Sequence, residues 1–110
     1  MKKKNRVCKA QEFQKLIHTG RKYVSHSFVL YVLPKVQEQA RIGISLPKKI
    51  GHAVDRNRIK RQIRMMCQEL VDFSSCFGDM VLIVRFSYKD RSYSENKKSL
   101  ENLLSKARIK

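Results

Sequence analysis

The sequence predicts a single-domain α/β (α+β) sandwich in which helices pack on a small mixed sheet. Apolar residues recur at helical spacing in three segments: 9–18, 55–71 and the stretch after Ser92. Three other segments, 27–33, 41–46 and 80–86, are β-branched or aromatic and of strand length. They follow one another as α-β-β-α-β-α, with room for a further short strand over 21–24, so the helices must cover the sheet. At 110 residues, without an internal repeat or a Pro/Gly/Ser linker, the chain reads as one domain, 1–110, whose residues 1–8 form a basic, flexible tail.

In the first helix, Phe13, Leu16 and Ile17 stand at i, i+3 and i+4, and Gly20 stops it. Residues 27–33 form a continuous apolar run closed by Pro34, as expected of a strand buried on both faces. In 41–46, Ile42, Ile44 and Leu46 alternate with Gly43 and Ser45, which predicts a half-buried strand. The polar turn at 35–40 would set it antiparallel to the strand before it. Ile59, Ile63, Met66, Cys67 and Leu70 form one stripe at i, i+4, i+7, i+8 and i+11, and so predict a helix over 55–71. Residues 72–79 break it, and 80–86 read as another strand. Ser92 followed by Glu95 fits a capping box, ahead of Leu100, Leu103, Leu104 and Ala107 at helical spacing.

The composition excludes several classes. The longest unbroken apolar run has six residues, 28–33, where a membrane-spanning helix needs about 20. The basic N-terminus is followed only by Val7 and Cys8, too short for the apolar stretch of a signal peptide, so a cytoplasmic protein is expected. Cys8, Cys67 and Cys76 are odd in number and lack zinc-ligand spacing, so they read as reduced thiols. With 42% hydrophobic residues the chain can bury a core despite a net charge of +16.

The charge is concentrated. Residues 1–26 carry +7 and residues 48–64 carry +6, leaving +1 on 27–47 and +2 on 65–110. Such clusters repel themselves, and a polyanion would neutralise them; nucleic acid is the first candidate. In the second cluster, Lys48 and Lys49 follow Pro47, which ends the preceding strand, and lead into the helix. With the apolar stripe turned inward, Asn57, Arg61, Arg64 and Gln68 face outward, flanked by Arg58 and Lys60. Arg56 and Arg58 are expected in the first turn, where the helix dipole disfavours cations, and Asp55 at the N-cap. A bound phosphate would reverse that penalty, so the helix start reads as a phosphate site.

The run Ile42-Gly43-Ile44-Ser45, then Lys48-Lys49-Ile50-Gly51, Ala53-Val54, and Arg56-Asn57-Arg58-Ile59-Lys60-Arg61 with Arg64 resembles the protein component of bacterial ribonuclease P. The resemblance extends to Phe13, to Phe28-Val29-Leu30-Tyr31 and to Lys97-Lys98-Ser99-Leu100, and so covers nearly the whole chain. It implies an α-β-β-β-α-β-α domain with an uncommon left-handed crossover, against the usual hand of such connections. It also implies that a catalytic RNA with bound Mg²⁺ removes the 5′ leader of precursor tRNA, while one protein subunit per RNA binds both. Lys48, Lys49, Arg56, Asn57, Arg58, Lys60, Arg61 and Arg64 would then contact the RNA subunit. Phe13, Ile17 and Tyr31 would line a cleft for the leader, which single strands occupy through stacking and backbone charge. Two residues depart from the family pattern: Pro47 stands where a small polar residue is common, and Ile17 where an aromatic is frequent.

Two other classes compete with this accessory-subunit reading. A stand-alone or ribosomal RNA-binding protein would use the same charge, but would not need a single-strand platform. A protein-only nuclease would need clustered acids or a general base, and the 9 acids are scattered with no HExxH or P-loop.

Overall fold

The computed structural model describes residues 10–34, 40–72 and 78–107; the basic tail lies outside them. Helix α1 (Ala10–Thr19) leads into strands β1 (Arg21–Val24), β2 (Phe28–Pro34) and β3 (Ile42–Ser45). A 3-10 turn (Lys48–Ile50) precedes the long helix α2 (Ala53–Leu70), and strand β4 (Gly78–Val84) follows. A second 3-10 turn (Phe86–Asp90) connects β4 to the last helix, α3 (Tyr93–Lys106). The short strand over 21–24 is therefore present.

The four strands lie in the order β1-β2-β4-β3. β2 pairs antiparallel with β1 and β4, and β3 pairs parallel with β4. This corrects one expectation: β3 runs opposite to β2 but does not pair with it. The reason lies in β4, which is buried at six of its seven positions and so takes an interior place with a partner on each side. The shorter β3, half-buried at Ile44 and Ser45, goes to the edge. The β3–α2–β4 unit that results is the parallel crossover whose left hand the resemblance implies.

Strand alternation divides the core in two. Phe28, Leu30 and Val32 of β2 and Met80, Leu82 and Val84 of β4 meet the α2 stripe (Ile59, Ile63, Met66, Cys67) and Leu100, Leu103 and Leu104 of α3. Removing each such side chain from water stabilises the fold by about 1.5–3 kcal/mol. Residues of opposite parity, Tyr31, Leu33, Val81 and Ile83, receive α1 through Phe13, Leu16 and Ile17. Because α1 has only ten residues, Val29, Tyr31 and Leu33 are half-buried, so β2 is fully buried on one face and not on both.

Polar groups fix the ends of these layers. Ser92 and Glu95 make the expected capping box: Ser92 Oγ accepts the Glu95 N–H at 3.2 Å and Glu95 Oε1 accepts the Ser92 N–H at 3.0 Å. Buried Asn96 accepts the Ser27 hydroxyl at 2.5 Å and donates to the Tyr88 carbonyl at 3.0 Å, joining the turn before β2, the second 3-10 turn and α3. Cys67 is a buried free thiol whose pKa burial pushes up to about 12, which leaves it inert; Cys8 and Cys76 lie outside the described residues. Among the described residues no helix is long and apolar enough to cross a membrane.

Candidate nucleic-acid interface

α1 is tied to the sheet by an ionic clasp. Arg41 Nη2 lies 2.5 Å from Glu12 Oε2 and 3.0 Å from Asp79 Oδ2, and Asp79 Oδ1 accepts the Arg41 N–H at 2.9 Å. These carboxylates, Glu12 first, raise the guanidinium pKa against the cost of burial. The clasp orients α1 so that Phe13 lies over Gly43. A Cβ at that position would come within 2.4 Å of Phe13 Cζ, so the missing side chain makes room for the ring. Gly43 was not among the expected site residues, although a glycine inside an alternating strand already signals a close approach.

Phe13 forms one wall of an open groove of about 370 Å³, with Ile44, Ser45 and Leu46 of the β3 segment as its floor. Ala53, Arg56, Asn57 and Lys60 of α2 form the facing wall. These four recur at i, i+3, i+4 and i+7, so they share one flank of the helix. Arg56 Nε is buried in this protein without a hydrogen-bond acceptor, an arrangement that an incoming anion would complete.

The other expected RNA contacts are distributed around this groove. Lys48 and Lys49 are exposed on the 3-10 turn before α2. Arg58 lies on the opposite flank of α2, near Tyr88. Burial raises the Tyr88 pKa to about 12, with the charge of Arg58 opposing the shift. Arg61 and Arg64 border a shallow hollow of about 350 Å³ with Met65, Gln68 and Glu69. Of the three expected cleft residues, only Phe13 lines the groove; Ile17 and Tyr31 pack beside it in the α1 cluster, both half-buried.

The helix start differs from expectation. α2 begins at Ala53, so Asp55 is the third helical residue and His52, not Asp55, is the N-cap. Asp55 Oδ2 accepts the His52 N–H at 3.3 Å. Gly51, at φ 155°, makes the turn, and a Cβ there would meet the Asp55 carboxylate at 2.8 Å. Arg58 consequently falls in the second turn, and the acid of the first turn complements the dipole. Arg58 therefore takes no penalty from the helix start, and the features there that suit a phosphate are the groove and the unpaired Arg56 Nε.

The family model for ribonuclease P matches residues 1–108. The chain belongs to the ribonuclease P protein family. It is 44% identical to the ribonuclease P protein component of Bacillus velezensis over 99% of this chain and 94% of that one. The protein component from Bacillus mycoides is also 44% identical, over 100% and 96% of the two chains. Among solved structures, the Staphylococcus aureus RNase P protein superimposes with a TM-score of 0.86 at 33% identity, covering 96% of each chain. The Thermotoga maritima RNase P protein, at 24% identity and a TM-score of 0.79, shares the fold. As a ribonuclease P protein, the chain is an RNA-binding subunit of a tRNA-processing ribonucleoprotein nuclease.

Proposed function

We propose that this ribonuclease P protein binds the catalytic RNA and holds the 5′ leader of precursor tRNA, one protein per RNA, in the cytoplasm. The observation that carries this reading is the groove, where an aromatic wall from α1 faces Arg56, Asn57 and Lys60 across 370 Å³ with Arg56 Nε awaiting an acceptor. Such a site suits single-stranded RNA. A base finds a ring face and a phosphate finds a guanidinium, contacts that every nucleotide offers, so many different leader sequences fit. The remaining exposed cations, Lys48, Lys49, Arg58 and Arg61, with half-buried Arg64, are then available to the RNA subunit.

The described residues hold no group of three or more His, Cys, Asp or Glu that could ligate a metal. Asp79 and Glu12 are committed to Arg41. These donors do not fit a Mg²⁺ site, so the proposal assigns the ion to the RNA and bond cleavage to the RNA. The work of the protein is electrostatic and positional: its cations offset phosphate repulsion where leader and RNA subunit come together.

The test is to incubate the purified protein with precursor tRNA and Mg²⁺, with and without a bacterial ribonuclease P RNA, and to follow release of the leader. Cleavage by the RNA that the protein strengthens, with none by the protein alone, is expected. An active RNA that the protein leaves unchanged would favour a free-standing RNA-binding protein. In the assembled enzyme, Tyr31→Ala should weaken precursor tRNA more than mature tRNA, by about 1 kcal/mol. Equal losses on both substrates would move the leader away from the α1 cluster.

A further inference from the structure

Phe86, at the start of the second 3-10 turn, is 59% exposed, although Val84 and Tyr88, two residues to either side in the chain, are buried in the core. Lys89 Nζ stands 5.9 Å from its ring centroid. An aromatic ring in this position contributes little to the core. The surrounding backbone is nevertheless well anchored: Arg85 Nη1 donates to the Ser25 carbonyl at 2.7 Å, and the Ser87 hydroxyl donates to the His26 carbonyl.

Topology places this ring among cations that are distant in sequence. β3 and β4 are parallel neighbours, so their C-terminal ends leave the sheet side by side. The two 3-10 turns that follow them, Lys48–Ile50 and Phe86–Asp90, pack together. The Tyr88 hydroxyl of the second turn donates to Gln62 Oε1 of α2 at 2.7 Å, and Arg58 stands one helical turn before Gln62, toward the first 3-10 turn. Lys48, Lys49, Arg58, Arg85 and Lys89 are all exposed there, against Asp90 of the turn. None of the residues lining the Phe13 groove belongs to this patch.

We propose that Phe86 is a second stacking platform, on which an unpaired base of the RNA subunit lies while its flanking phosphates meet Lys48, Lys49, Arg58 and Lys89. The inference rests on the reading of the chain as an RNA-bound subunit. An exposed ring framed by cations is what a single-stranded nucleotide requires, since every base has a face to stack and each linkage a charge to neutralise. The RNA subunit, rather than the leader, is the occupant because the patch is continuous with Lys48, Lys49 and Arg58 and separate from the α1 groove.

The experiment compares full-length Phe86→Leu and Phe86→Tyr with the parent for affinity to ribonuclease P RNA, and maps ultraviolet cross-links from the parent complex. Phe86→Leu should weaken RNA-subunit binding about fivefold or more, and Phe86→Tyr should restore it. Both variants should melt with the parent, and a cross-link should join Phe86 to an RNA-subunit nucleotide. Parent-like affinity of Phe86→Leu, or a loss on precursor tRNA alone, would overturn the inference. If Arg61→Ala and Phe86→Leu are both silent, the proposed interface with the RNA subunit itself fails. If only Phe86→Leu is silent, the interface stands and the platform does not.

Discussion

At the scale of single residues, Arg56 and Gly43 matter through what they lack. Arg56 has a buried Nε without an acceptor, a state that costs free energy in the unbound protein and that a bound phosphate would relieve. Arg56→Ala should therefore weaken binding of the precursor tRNA leader while the protein stays folded. Titration at several salt concentrations should give a slope shallower by about 0.7–0.9 for one lost phosphate contact. An unchanged slope would remove Arg56 from the interface. Gly43 lacks the Cβ that would collide with Phe13. Because the far end of a side chain is what collides, Gly43→Ala should displace the ring rather than unfold the sheet. Its signature should be a loss of about 1 kcal/mol for precursor tRNA with mature tRNA unaffected, read from affinities of the assembled enzyme.

At the scale of elements, the helices were easier to read than the strand pairings. The α2 stripe falls on the core as its spacing requires, and the Ser92–Glu95 cap forms as written, because both are local and depend on residues three or four apart. The cap is also a pH-sensitive element. The Ser92 backbone N–H, and then its hydroxyl, hold the exposed Glu95 carboxyl below its ordinary range. Since the folded value is lowered, the stabilisation is fully present above the unfolded value and is lost as pH falls through the folded one. Glu95→Ala should accordingly lower the melting temperature at pH 7, and the gap to the parent should close as the solution is acidified below about pH 4.5. A gap independent of pH would mean that the carboxylate takes no part. The start of α2 is not legible in the sequence because His52 is a weak N-cap by residue type and Asp55 a strong one. Gly51, whose φ no list of residue types reveals, turns the chain just before the helix, and the N-cap lies three residues upstream of Asp55.

At the scale of the molecule, a +16 charge on a domain with a Cα radius of gyration of 12.9 Å repels itself. Added salt should stabilise the free protein by screening that repulsion, so its melting temperature should rise between 0.05 and 0.5 M NaCl, where the Debye length falls below about 10 Å. The same salt should weaken its complex with RNA. A melting temperature that falls with salt would mean that specific ion pairs, such as the Arg41 clasp, outweigh the general field.

The sequence by itself determined the element types, the apolar face of each helix, the two concentrations of charge and, through the run from Ile42 to Arg64, the family. The first three follow from periodicity, residue chemistry and adjacency, which act within a few positions of the chain, and the family follows from the resemblance of that run to a known one. Only the tertiary structure decided that β4 separates β2 from β3, since strand order depends on which strand is best covered on both faces. It also brought Phe13 to Arg56 across Gly43, and the Phe86–Asp90 turn to the Lys48–Ile50 turn. Those juxtapositions join residues some 40 positions apart, and they arise from packing a sheet between α1 and the pair α2 and α3, which no local pattern encodes.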